Sequence, residues 1–198
     1  MITQACIFRA DLFTKANVGT TEQRALLVDQ IRTAKKEDPI GVSRSNDGCW
    51  RKNFDENYPL NNANWLHSEI NELLVQAVKF YSVEDHIYAK INRSDNVTVT
   101  CWANINQSGS RNSYHSHKGN HYVALYYLQG NATGDLILAN PANVLADCNL
   151  DAPYTHDMAF SPKDGDLILW PAWVPHEVEP NLSDKERINI AFNINIKP

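Results

Sequence analysis

Three of the seven histidines in this 198-residue sequence crowd into one short stretch, His115-Ser-His117-Lys-Gly-Asn-His121. Residues two apart on a strand face the same way, so His115 and His117 can offer two imidazoles to one metal ion. Alone, such a pair is more often surface or core histidine than ligand. His121 lies two strand steps further on, with Lys118-Gly119 breaking the phase between them. A second element, Gly165-Asp-Leu-Ile-Leu-Trp-Pro171-Ala-Trp173-Val-Pro-His176, is an apolar strand that runs through a proline-bounded turn onto another histidine. The third begins ten residues later, where Arg187 opens a strongly alternating segment with Asn189 on its face. Imidazoles for a metal and a guanidinium for an anion are the chemistry these types offer.

The elements that must position them change character half-way along the chain. Thr20-x-x-Gln23 has the form of a capping box, and Leu27, Val28, Ile31 and Ala34 then recur at helical spacing until Lys35, Lys36 and Pro39. A second helix is expected from about Asn64 to Tyr81, with Leu66, Ile70, Leu73, Leu74, Ala77 and Val78 as its apolar stripe. Between them, Gly41 to Asn62 reads as a long polar loop in which Arg44, Arg51 and Lys52 could select an anionic group.

From Asn96 the period becomes two. In Arg187 to Ile196, Ile188, Ile190, Phe192, Ile194 and Ile196 take one face, and Arg187, Asn189, Ala191, Asn193 and Asn195 the other. His121–Leu128, Gly134–Ala139 and Gly165–Trp170 read as further short strands. The expected fold is α+β and mainly β, a barrel whose isoleucine face is covered by the two helices. The Arg/Asn face then lines the interior, which is costly unless something binds there.

Composition bounds the rest. With 23 Asp plus Glu against 18 Lys plus Arg, the net charge of −5 gives no overall draw toward nucleic acid or anionic membrane. No apolar run approaches the ~20 residues of a membrane span, and the N-terminus lacks a secretory pattern. Cys6, Cys49, Cys101 and Cys148 stand more than 40 residues apart, which excludes a CxxC knuckle. The expectation is one cytoplasmic domain over 1–198, helical with connecting loops over 1–95 and a β core over 96–198. No nucleic-acid or membrane partner is expected, and a homodimer stays open.

These elements resemble the cupins and, within that double-stranded β-helix (jelly-roll) fold, the iron(II)/2-oxoglutarate-dependent oxygenases. Gly109 precedes His115 as in the first cupin motif, and Gly165, Pro171 and His176 follow the second, with Trp173 at its inner Gly. His176 followed by Arg187-Ile-Asn189 is similar to the oxygenase pattern of a distal His and Arg-x-Ser. An uncharacterised group of those oxygenases is similar in six elements: Trp102-Ala-Asn104, His115-Ser-His117, Tyr126-Tyr127-Leu128, Gly134-Asp-Leu-Ile-Leu, Pro171-Ala-Trp173-Val-Pro-His176 and Arg187 to Asn193. The departure is at position 117, where His stands in place of the usual carboxylate.

The resemblance implies a dioxygenase that couples decarboxylation of 2-oxoglutarate to succinate with C–H oxidation of a substrate, using Fe(II) and O₂. It implies His115, His117 and His176 as metal ligands, with Arg187 on the far carboxylate of 2-oxoglutarate. Asn104, Tyr126, Asn189 and Asn193 are candidates for hydrogen bonds to that co-substrate, and Trp102, Trp173 and His121 for the substrate pocket. The span Asn140 to His156 is a candidate lid. Two alternatives remain: a three-His cupin-type metal dioxygenase without 2-oxoglutarate, and a non-catalytic metal- or small-molecule-binding module.

Overall fold

The computed structural model describes residues 10–56, 59–81, 96–140 and 156–197. Both expected helices form, α1 over Thr21–Glu37 and α2 over Asn64–Tyr81. Thr20 caps α1 reciprocally: its hydroxyl accepts from the Gln23 N–H while the Gln23 side chain accepts from the Thr20 N–H. No helix among the described residues is long and apolar enough to cross a membrane.

Among the described residues, eleven strands build two antiparallel sheets. They are β1 (Phe13–Lys15), β2 (Asn46–Asp47), β3 (Trp50–Phe54), β4 (Val97–Asn106), β5 (Arg111–His115) and β6 (Tyr122–Gln129). β7 (Leu136–Leu138), β8 (Met158–Phe160), β9 (Leu167–Pro171), β10 (His176–Val178) and β11 (Arg187–Ile196) follow. The larger sheet runs β1-β9-β6-β11-β4-β3, and the smaller β2-β5-β10-β7-β8. The stretch expected as a long polar loop, Gly41 to Asn62, is therefore corrected. It supplies β2 to the small sheet and β3 to the edge of the large one, pairing Trp50 with Ile105 and Phe54 with Cys101. Its alternation is too short and too polar to register as strand. The candidate lid falls almost wholly at 141–155, outside the described residues.

β11 divides the molecule as its alternation predicts. Ile188, Ile190, Phe192 and Ile194 join Leu27, Ile31, Leu66, Ile70 and Leu74 of the helices in one apolar cluster. Ala191 joins Trp102, Val123, Leu125, Tyr127, Leu136 and Trp170 in a second cluster between the sheets. β11 lies between β4 and β6, so its face-to-face assignment fixes theirs. β6 is apolar on both faces: Ala124 and Tyr126 turn toward the helices, Val123, Leu125 and Tyr127 toward the interior.

Deleting the Ile190 side chain opens a cavity where helices and sheet meet. Ile190→Ala should cost about 2–5 kcal/mol in denaturant unfolding. Thr20→Ala, which removes only the helix cap, should cost about 1 kcal/mol.

Candidate metal centre and co-substrate pocket

His115 ends β5 and His176 opens β10, and the two are cross-strand partners. An extra residue in β5 between the pairs His176–His115 and Val178–Asn112 makes a bulge, a device that re-aims side chains. His117 lies just past β5, held by its N–H to the Ala172 carbonyl at 3.0 Å. The three side chains converge: each offers a ring nitrogen within 4.8 Å of the others.

Their hydrogen bonds fix which nitrogen faces inward. His115 Nδ1 donates to the Ser113 carbonyl at 2.6 Å, and His176 Nδ1 to the Val174 carbonyl at 3.2 Å. His117 Nδ1 donates to Asn193 Oδ1 at 2.5 Å. All three acceptors lack a proton to give, so Nδ1 carries the hydrogen and Nε2 carries the lone pair. His115 Nε2 and His117 Nε2 then face each other at 3.2 Å. Two lone pairs at that distance repel unless a cation lies between them. Two nitrogens each ~2.1 Å from one ion, at right angles, would sit roughly 3 Å apart. The donor set fits a metal.

The histidines are also poised to stay neutral. Burial lowers the basicity of all three, to about 4 at His117, helped by His115, and to about 3 at His176, helped by His115 and His117. Trp102 stacks on His117 at 5.6 Å and Trp170 meets His176 edge-on at 5.1 Å, so aromatic walls withhold water.

Beyond the histidines the pocket is lined by Asn104, Asn112, Leu136, Val178, Asn189 and Ala191. Asn104 Nδ2 donates to Asn189 Oδ1 at 2.8 Å, which leaves Asn104 Oδ1 buried and unpartnered. Two residues further along the same face of β11 is Arg187, with no exposure to solvent. Its Nη1 donates to the carbonyls of Thr133 and Glu179. Gly134, at φ +94°, makes room: a Cβ there would lie 2.9 Å from two carbonyl oxygens and 3.2 Å from Arg187 Nη1. The other edge of the guanidinium, Nε and Nη2, is buried with no hydrogen-bond partner. That edge is the fork that matches a carboxylate. The Tyr127 hydroxyl is buried and unpartnered as well, and its phenol and the Arg187 charge act on one another. These orphaned donors fit a dicarboxylic co-substrate.

Some expected residues lie elsewhere. Tyr126 faces the helices, its hydroxyl donating to the Val18 carbonyl at 2.6 Å, so Tyr127 is the interior tyrosine. Period two requires that only one of the adjacent pair face inward, but an all-apolar strand does not say which. The pairing of Asn189 with Tyr127 decides it. Trp173 is 48% exposed and does not line the pocket. His121 is exposed on the outer surface, its Nδ1 beside Asn195 Oδ1 at 3.2 Å, because the turn through Lys118-Gly119 carries it away. Asn193 serves His117, and Trp102 does wall the pocket.

Residues 100–193 match the sequence model of the family described as "Putative 2OG-Fe(II) oxygenase". Over that span, a little under half of its length, the chain is similar to this family. The family is described as one of oxygenases that use Fe(II) and 2-oxoglutarate. Solved structures agree in fold. A Pseudomonas putida prolyl-4-hydroxylase is 14% identical with a TM-score of 0.65, covering 94% of this chain and 93% of that one. A Trichoplax adhaerens prolyl hydroxylase, in complex with a hypoxia inducible factor peptide fragment, is 17% identical at 0.64, over 93% and 83%. HygX from Streptomyces hygroscopicus, solved with nickel and 2-oxoglutarate bound, is 12% identical at 0.55, over 93% and 82%. No curated protein matches the chain in sequence.

Two outcomes follow from the histidine environment. Folded-state pKa values below the ordinary 6.5 mean that the unfolded chain binds protons first as pH falls. Stability of the metal-free protein should hold above about pH 6.5 and fall from there toward about 3, with metal flattening the profile in thermal melts. Asn193→Ala should weaken metal affinity by roughly 10–100-fold, read by calorimetry, because it releases the His117 ring.

Proposed function

We propose that His115, His117 and His176 hold Fe(II) through Nε2, and that Arg187 with Tyr127 receives the far carboxylate of 2-oxoglutarate. The observation that carries this reading is the buried, unpartnered Nε–Nη2 edge of Arg187. Among the described residues no carboxylate pairs with it, and burial lowers its basicity. A carboxylate ligand would offset both costs.

When bound, the metal and 2-oxoglutarate supply oxidative decarboxylation to succinate and CO₂, coupled to oxidation of a substrate C–H bond. The chain's part is positioning. Ser113, Val174 and Asn193 orient the three imidazoles and keep Nε2 deprotonated at neutral pH. Asn104 and Asn189 border the space between histidines and arginine, where the free Asn104 Oδ1 can accept a hydrogen bond. Trp102, Trp170, Val123 and Leu125 exclude water from the same space. The absence of Tyr126 from this set moves the phenol's role to Tyr127.

Three neutral ligands also occur in the alternative, a three-His dioxygenase without 2-oxoglutarate, but that chemistry has no use for Arg187's open fork. The free thiols Cys49 and Cys101 support a reducing, cytoplasmic setting for the protein.

Arg187→Met separates these readings. At 2-oxoglutarate near 100 times its Kd, the metal-loaded wild type should gain about 2.7 kcal/mol of stability, and the variant should gain almost none. Its unliganded stability should change little, since removing an uncompensated buried charge offsets the lost carbonyl bonds. Equal stabilisation of variant and wild type by 2-oxoglutarate would remove Arg187 from the site.

A further inference from the structure

A second depression adjoins the metal centre on its solvent side, bordered by His115, His117, Trp102, Asn193 and Ser45. Its remaining rim carries Arg44, Arg51 and Lys118. Among the described residues, neither this opening nor the pocket beneath it is lined by any Asp or Glu. In a chain with an excess of acidic residues, an acid-free mouth with three cations is a marked local reversal.

Arg51 is the informative member. β3 pairs it with Asn104, next to the strand that carries Trp102. Its guanidinium lies 4.2 Å over the Trp102 ring, and Trp102 stacks on the ligand residue His117. The charge reaches both His115 and His117, lowering the basicity of each. Its Nε is buried without a hydrogen-bond partner, and no ion pair forms among the described residues. Neighbouring Lys52 has an acid, Asp38 at 3.1 Å, and Arg111 has Asp47 at 3.2 Å. Arg51 instead faces a like charge on Arg44, and burial together with that repulsion brings it down to about 10. Cation–π contact with Trp102 accounts for its placement and leaves its hydrogen-bonding edge free.

The charges in the site point the same way. Three neutral imidazoles leave a divalent ion's charge intact, where a carboxylate ligand would have cancelled half of it. The two carboxylates of 2-oxoglutarate would balance that ion, and Arg187 adds a further positive charge. Among the described residues, no acid lining the opening then offsets Arg44, Arg51 and Lys118.

We infer that the mouth formed by Arg51, Arg44 and Lys118 recognises an oxyanion, a carboxylate or phosphate, on the substrate to be oxidised. This rests on the metal and 2-oxoglutarate reading for the direction of catalysis, and deepens it by naming the substrate class. Arg51, held on Trp102, supplies the oriented donors, while Arg44 and Lys118 supply charge from the rim. The oxidisable part of the molecule would lie toward the histidines.

The test uses three aromatic probes of similar size: phenyl phosphate, benzoate and uncharged benzamide. Each is titrated by calorimetry into protein saturated with Zn(II) and 2-oxoglutarate, and into metal-free protein. One or both anions should bind about tenfold more tightly than benzamide, and added salt should weaken only the anions. Phenyl phosphate above benzoate assigns a phosphate, and the reverse order a carboxylate. Arg51→Met should remove most of the preference, Arg51→Lys should restore part of it, and exposed Lys118→Gln should lower it severalfold. Benzamide binding as well as the anions, or anion affinity unchanged in all variants, would overturn the inference. So would an Arg51→Met loss that falls on 2-oxoglutarate instead of the probes. Failure of the wild type to bind Zn(II) and 2-oxoglutarate, with anion preference intact in the metal-free protein, would defeat the metal reading and leave the mouth standing.

Discussion

A guanidinium withdrawn wholly from water, with three of its five N–H donors unused, is among the least comfortable groups a protein interior can hold. Arg187 is in that state, and the fold is arranged to keep it there. Its position at the start of β11 places it on the interior face, while the adjoining isoleucines anchor the strand to both helices. Gly134 clears the space beside it, and two backbone carbonyls occupy one edge of the guanidinium. What remains is an unpartnered Nε–Nη2 fork two residues along β11 from Asn189, which lines the pocket where the three histidines converge. Both features are unfavourable in the protein alone and become favourable when a cation and a carboxylate arrive together. The stability sacrificed here is a device for binding.

The double-stranded β-helix converts this into geometry. Strands from the small sheet deliver His115 and His176 as cross-strand neighbours, and the large sheet delivers Arg187, Asn189 and Asn193 from one strand. One face of β11 therefore carries Asn193, which holds His117, Asn189, which lines the pocket, and the fully buried Arg187. Replacing the usual carboxylate by His117 alters charge more than shape. On the proposed reading, the extra positive charge on the metal and the cationic rim above it would both favour anions.

Much of this was legible in the sequence because period two is strict where a strand has one apolar and one polar face. Ile188 to Ile196 announced both the helix-covered side and the interior side, and placed Arg187 correctly. The same logic failed on Tyr126 and Tyr127, since β6 is buried on both faces and alternation there carries no sign. It failed on Gly41 to Asn62, where β3 is short, polar and dependent on β4 for its existence. His121 and Trp173 misled for a different reason: a turn resets the direction of every side chain beyond it. In the sequence Arg51 stands with Arg44 and Lys52 as a selector of an anionic group, but Lys52 pairs with Asp38, and the contact of Arg51 with Trp102 needed the pairing of two distant segments.

The central claim is that three imidazoles and one arginine together make a chelate site for Fe(II) and 2-oxoglutarate. The most direct measurement is the visible absorption of the protein under anaerobic conditions, with Fe(II) added first and 2-oxoglutarate second. A weak charge-transfer band that appears only on the second addition, and fails to appear in His176→Ala, is the predicted result. Iron and 2-oxoglutarate both bound with no such band, or a band that persists without His176, would contradict the account.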